Sequence, residues 1–66
     1  MKFILSTDLE QRRILREHFG ITEYLSLIRL CSEIGAIMFE NVSQNYKLVN
    51  FIFDSEEQYT KLMMLL

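Results

Sequence analysis

The apolar periodicity of this chain changes at Gly35, and that change constrains the fold more than any other feature. Before it, Tyr24, Leu27, Ile28, Cys31 and Ile34 stand at i, i+3, i+4, i+7 and i+10, the spacing that lines one side of a helix. After it, residues 36–42 and 46–53 are rich in aromatic and β-branched side chains and alternate with a period of two. Each period gathers its side chains on one face of only one kind of element, so the chain must build both helices and a sheet.

The punctuation supplies the rest. Residues 3–5, extending to Ser6, form a short apolar run that reads as a strand. Thr7 and Glu10 then have capping-box spacing, and Asp8 suits the positive end of a helix. That helix runs to Phe19. Its inner side carries Leu9, Ile14, Leu15, His18 and Phe19, its solvent side Glu10, Arg12, Arg13, Arg16 and Glu17, and Gly20 stops it. Thr22 caps a second helix over residues 23–34, apolar around more than half its circumference once Leu25 and Leu30 widen the stripe. Ser43, Gln44 and Asn45 make a connection of hairpin length between the two strand-like runs. Ser55 and Gln58 form a second capping box, for a helix to Leu66 striped by Tyr59, Leu62, Met63 and Leu66. The expected order is β-α-α-β-β-α: one α+β domain over residues 1–66, a three-stranded, mostly antiparallel sheet packed with three helices.

Sixty-six residues make one small domain, which buries only about 60% of the surface its unfolded chain exposes. A 50% apolar content is too rich for a disordered tail. Seven Lys and Arg against nine Asp and Glu, a net charge of −2, are no footprint of a polyanion binder. A single cysteine excludes an intramolecular disulfide and points to a reducing compartment. Only Phe3, Ile4 and Leu5 follow Lys2 as an apolar run, where a secretory signal needs roughly 7–15 residues. The longest run, Leu62 to Leu66, is far short of the roughly 20 residues of a membrane span. The expectation is a soluble, cytoplasmic protein with no membrane segment.

The strand faces hold the most informative detail. Alternation places Val49, Phe51 and Phe53 on one face, with Ile37 and Phe39 beside them. The other face collects Met38, Val42, Leu48 and Ile52 around Glu40 and Asn50. A solvated face of an antiparallel sheet is ordinarily polar, and this one is not. Either a helix packs on each side of the sheet, or the second face is an interface for another copy or a partner. The first strand, if it pairs with the third, also leaves an apolar edge that no further strand covers.

No constellation carries catalysis. His18 is the only histidine, and Cys31 lies on the most apolar stripe, where burial raises a thiol pKa and makes it inert. These two supply neither a catalytic pair nor the four ligands of a zinc site. Asp54, Glu56 and Glu57 cluster where a helix start stabilises negative charge in any case. Gly20 and Gly35 are isolated helix stops, not a phosphate loop. The expectation is therefore no enzyme, no cofactor and no metal.

Residues 15–22 resemble the turn of a helix-turn-helix, in which a helix, a glycine (Gly20), an aliphatic residue (Ile21) and a Ser/Thr cap (Thr22) follow in that order. The order β-α-α-β-β over residues 3–53 likewise resembles a winged helix, with residues 43–45 as the wing tip. That resemblance implies a DNA-binding transcriptional regulator whose second helix reads the duplex. The chain departs from the pattern at Arg16, where a small residue is usual, and at Ser26, where an aliphatic one is. The leading helix of the winged fold is missing unless the C-terminal helix takes its place. The second helix carries only Arg29 as a base, and residues 7–35 hold four Arg against five acids. Phosphate binding needs a surplus of Lys and Arg, so this is the weaker reading.

The stronger expectation is a small non-enzymatic interaction protein, a regulator or inhibitor acting by binding another protein, as a homodimer. Its contact residues are Met38, Leu48 and Ile52 on the apolar face, with Arg12, Arg13 and Arg16 as a polar contact. The partner's identity is left open.

Overall fold

The computed structural model describes residues 1–23 and 26–66. The elements follow the expected order: β1 (Phe3–Thr7), α1 (Leu9–Phe19), α2 (Leu27–Ile34), β2 (Met38–Asn41), β3 (Val49–Phe53) and α3 (Glu56–Leu65), with a 3-10 turn at Gln44–Tyr46. The sheet is fully antiparallel in the order β1-β3-β2. The α+β architecture is as expected, and β1 does pair with β3.

The core forms on one face of the sheet. Val49, Phe51 and Phe53 are completely buried, and Leu15 of α1, Leu30 and Ile34 of α2 and Leu62 of α3 close over them. Burying each such side chain is worth about 1.5–3 kcal/mol, so this one cluster dominates the stability of a small domain. Tyr59 docks α3 by stacking on Phe3 at 5.6 Å and meeting Phe53 edge-on at 6.2 Å. Phe39 reaches the same layer against Phe51, whereas Ile37, expected beside it, is about half exposed just before β2 begins.

Both glycine stops hold. Gly20 and Gly35 adopt left-handed backbone (φ 67° and 80°), and each chain reversal returns amide hydrogen bonds to the preceding turn. Gly35 also faces a close neighbour. A Cβ there would meet the Gln58 side chain at 3.0 Å, and that side chain donates to the Ile34 carbonyl at 2.7 Å, tying α3 to the end of α2.

Four local expectations are corrected. Thr7 does not cap α1. Strand parity points it inward with Leu5, and its buried hydroxyl donates to the Val49 carbonyl at 2.9 Å. The cap passes to Asp8, which forms a capping box with Gln11. Likewise α2 begins at Leu27 with Ser26 as its cap, accepting from the Arg29 amide, so Thr22 and Glu23 precede the helix. The expected helical positions Tyr24 and Leu25 lie outside the described residues.

The hairpin connection is longer than three residues. The Val42 amide donates to the Leu48 carbonyl and brackets residues 43–47, in which Asn45 and Tyr46 take left-handed backbone (φ 56° and 58°). Two consecutive left-handed residues cannot continue a strand, so β3 starts at Val49 and not at Tyr46. On α3 the buried line runs through Tyr59, Leu62 and Leu65, which leaves Met63 and Leu66 substantially exposed.

Candidate interaction surfaces

Among the described residues α1, α2 and α3 all pack on the face of Val49, Phe51 and Phe53, and the opposite face stays open. Register makes its pattern explicit. Ile4 of β1 stands across from Ile52 of β3, and Met38 of β2 stands across from Ile52 on the other side. An apolar row therefore crosses all three strands, with Ile4 52% and Met38 49% exposed and Ile52 half-buried between them. The next row is Ser6, Asn50 and Glu40, polar throughout, in which the Ser6 hydroxyl donates to Asn50 Oδ1 at 2.7 Å. Leu48 and Val42 form a second apolar step beyond it, each about half exposed. Ile4, Met38, Val42 and Leu48 are each about half exposed on this face, and apolar patches of a few hundred Å² on small proteins begin to mark contacts. Thus Met38, Leu48 and Ile52 share one open surface, and Ile4 belongs with them. Sequence reasoning treated Ile4 only as part of an edge, although its even parity with Lys2 and Ser6 was legible.

The three arginines do not form one surface. Arg12 and Arg16 are 1% and 8% exposed, so the expected solvent face of α1 is wrong for both. The reason is helical phase: residues 12, 15, 16 and 19 stand at i, i+3, i+4 and i+7 and run along the inner side of α1. Arg12 threads under the sheet end. Its guanidinium donates to the Thr7 carbonyl at 2.7 Å, to the Thr7 hydroxyl at 3.1 Å and to the Tyr46 carbonyl. It thereby links the end of β1 to the left-handed turn at Tyr46. Only Arg13 lies on the surface, where it bridges Glu10 and Glu17. The hydrogen bond from Arg13 holds the Glu10 carboxyl below its ordinary range, and the two carboxylates raise Arg13 further. Arg29 is engaged in the same way, by Glu23 at 3.0 Å and Glu33 at 3.4 Å.

A cleft of about 490 Å³ opens between α1, the first turn of α2 and the 3-10 turn. Leu9, Ile28, Phe39 and Tyr46 give it apolar walls, and both buried arginines contribute to its lining. It went unseen in the sequence because it depends on Arg12 and Arg16 turning inward.

Cys31 is buried as expected, its thiol donating to the Ala36 carbonyl at 3.6 Å, and burial pushes its pKa up. His18 is exposed, with its ring edge-on to Phe19 at 4.9 Å. Among the described residues no three His, Cys, Asp or Glu side chains come together as a metal site, and no helix is long and apolar enough to cross a membrane. Comparison with protein-family models, with curated proteins and with solved structures returned no match.

Proposed function

We propose that this chain is a small non-enzymatic interaction protein that dimerises through its open sheet face and acts, as a regulator or inhibitor in the cytoplasm, by binding another protein. The observation that carries the reading is the in-register row Ile4–Ile52–Met38 on the face opposite every helix. The row is self-complementary. Its centre, Ile52, sits on the middle strand, so a two-fold axis through Ile52 packs the whole row against its own copy, as isologous contacts require. A few half-exposed side chains fall short of the roughly 800 Å² per partner that standard interfaces bury, which favours a weak dimer over an obligate one. Association also lends stability to a domain whose own core is small.

Sedimentation equilibrium over a concentration series tests the reading. The wild-type chain dimerises, and Ile4→Glu or Met38→Glu, both on edge strands, yields a folded monomer. A wild-type chain that remains monomeric into the millimolar range overturns it.

The element order β1-α1-α2-β2-β3 favours a second reading, a winged-helix-like DNA-binding regulator. Its basic surface is thin, because Arg12 and Arg16 are buried while Arg13 and Arg29 each face two carboxylates. Retention on random duplex DNA at low salt supports this alternative, and no retention retires it.

A further inference from the structure

We infer that Glu40 fixes the orientation in which two copies meet: the two-fold axis runs along β3, and Glu40 of each copy sits over Ser6 of the other. This rests on the dimer proposed above and adds the residue that orients it.

The open face is banded across its strands. Ile4, Ile52 and Met38 form an apolar row, Ser6, Asn50 and Glu40 form a polar row beside it, and Leu48 with Val42 forms a second apolar step. The polar row is therefore flanked by apolar bands on both sides. Sheets that stack face to face keep their strands within about 30° of each other, so the axis relating two copies lies along the strands or across them.

Both choices can lay apolar bands on apolar bands. An axis along β3 puts every row against the same row of the copy, with β1 over β2. Ile4 then meets Met38, Ile52 meets Ile52, Leu48 meets Leu48, and Ser6 meets Glu40. An axis across the strands, along the polar row, exchanges the two apolar bands and puts each strand over its own copy. Ile52 then meets Leu48, Met38 meets Val42, and Glu40 meets Glu40.

Charge decides between them. Glu40 is the only charged side chain in the three bands, and it is exposed. Among the described residues it makes no ion pair of its own. Two carboxylates set against each other in an interface are strongly disfavoured, whereas a carboxylate over a hydroxyl has a hydrogen-bond donor. The axis across the strands also leaves Ile4 facing past Thr7, where β1 has ended. The axis along β3 has neither fault.

A lysine at position 6 reads the orientation, because its effect has opposite signs in the two dimers. Within one chain Ser6 and Glu40 lie on the two edge strands, roughly 10 Å apart with Asn50 between them, so the new charge acts mainly across the interface. Sedimentation equilibrium of the full chain at low salt gives the dimerisation constant of wild type, Ser6→Lys and Ser6→Lys/Glu40→Gln. With the axis along β3, Ser6→Lys places two lysines over two glutamates and should tighten the dimer about fivefold, a gain that the double variant should lose. With the axis across the strands it sets lysine against lysine. Weakening by Ser6→Lys, no change, or a gain that survives in the double variant would overturn the inference and leave the dimer standing. A wild-type chain monomeric at every concentration would overturn the dimer and the orientation together.

Discussion

Removing the Arg12 side chain tests whether a buried charge organises this fold. Arg12 is 1% exposed and gives hydrogen bonds to the Thr7 carbonyl, the Thr7 hydroxyl and the Tyr46 carbonyl. Arg12→Met keeps most of the stem's volume but strips all three acceptors of their donor. A hydrogen bond from a charged donor is worth about 1.5–3 kcal/mol, and the two carbonyls lose the most, since the Thr7 hydroxyl still reaches Val49. Relief from burying a guanidinium offsets part of the loss, because an apolar replacement of a buried ion can itself be favourable. The balance is a destabilisation of about 2–4 kcal/mol. A 66-residue domain has only roughly 3–10 kcal/mol in total, so the variant should approach the edge of folding. Urea denaturation followed by far-ultraviolet circular dichroism measures the change, with Arg13→Met as the exposed control, expected within about 0.5 kcal/mol of wild type. Arg12→Lys keeps a charge but cannot span both carbonyls, and it should fall between. A loss below about 1 kcal/mol for Arg12→Met would refute the reasoning, because it would mean that water or a local shift satisfies those carbonyls as well.

Three further outcomes follow from particular contacts. Gly35→Ala should cost clearly more than Gly20→Ala in thermal or urea unfolding: both are left-handed, but a Cβ at Gly35 meets Gln58 at 3.0 Å whereas nothing lies within 4 Å of one at Gly20. Ser26→Ala should cost about 1 kcal/mol through loss of the α2 cap, while Thr22→Ala should be nearly neutral, and a reversed ranking in denaturation midpoints would mean that the helix starts at Thr22 after all. Because burial raises the Cys31 thiol above its ordinary 9.0, the unfolded chain ionises first as pH climbs past that value and binds fewer protons than the folded one. Stability should therefore be lost from about that pH upward through the folded pKa and be unaffected by this group below it; in alkaline unfolding series Cys31→Ala should lose that component of the decline, and identical slopes would contradict it.

Much of the fold was legible because period and punctuation agree. The change of period at Gly35, the two left-handed glycines and the Ser55 cap identify six elements without any tertiary information. The strand parity of Val49, Phe51 and Phe53 identified the core face for the same reason: alternation is a local property. What sequence reasoning missed is what tertiary contacts decide. Thr7 looks like a cap by composition, but the ladder with β3 continues through it, and pairing with Val49 outweighs a single capping bond. Arg12 and Arg16 look solvent-facing by charge, but their phase with Leu15 and Phe19 puts them inward, and Arg12 finds its acceptors on segments distant in sequence. The length of the β2–β3 connection is set by the Val42–Leu48 bond and by left-handed backbone at Asn45 and Tyr46, which composition does not show. Whether the second sheet face is covered depends on which side α3 takes, and Tyr59 settles that by docking on Phe3 and Phe53.

The central claim is that Ile4, Met38 and Ile52 meet their own copies. Nuclear Overhauser spectra filtered for intermolecular contacts, recorded on a mixture of labelled and unlabelled chain at millimolar concentration, test it directly. Contacts are expected between the Ile52 methyls of one copy and Ile52, Ile4 or Met38 of the other. An absence of intermolecular contacts on this face, with the chain monomeric in the same sample, would contradict it.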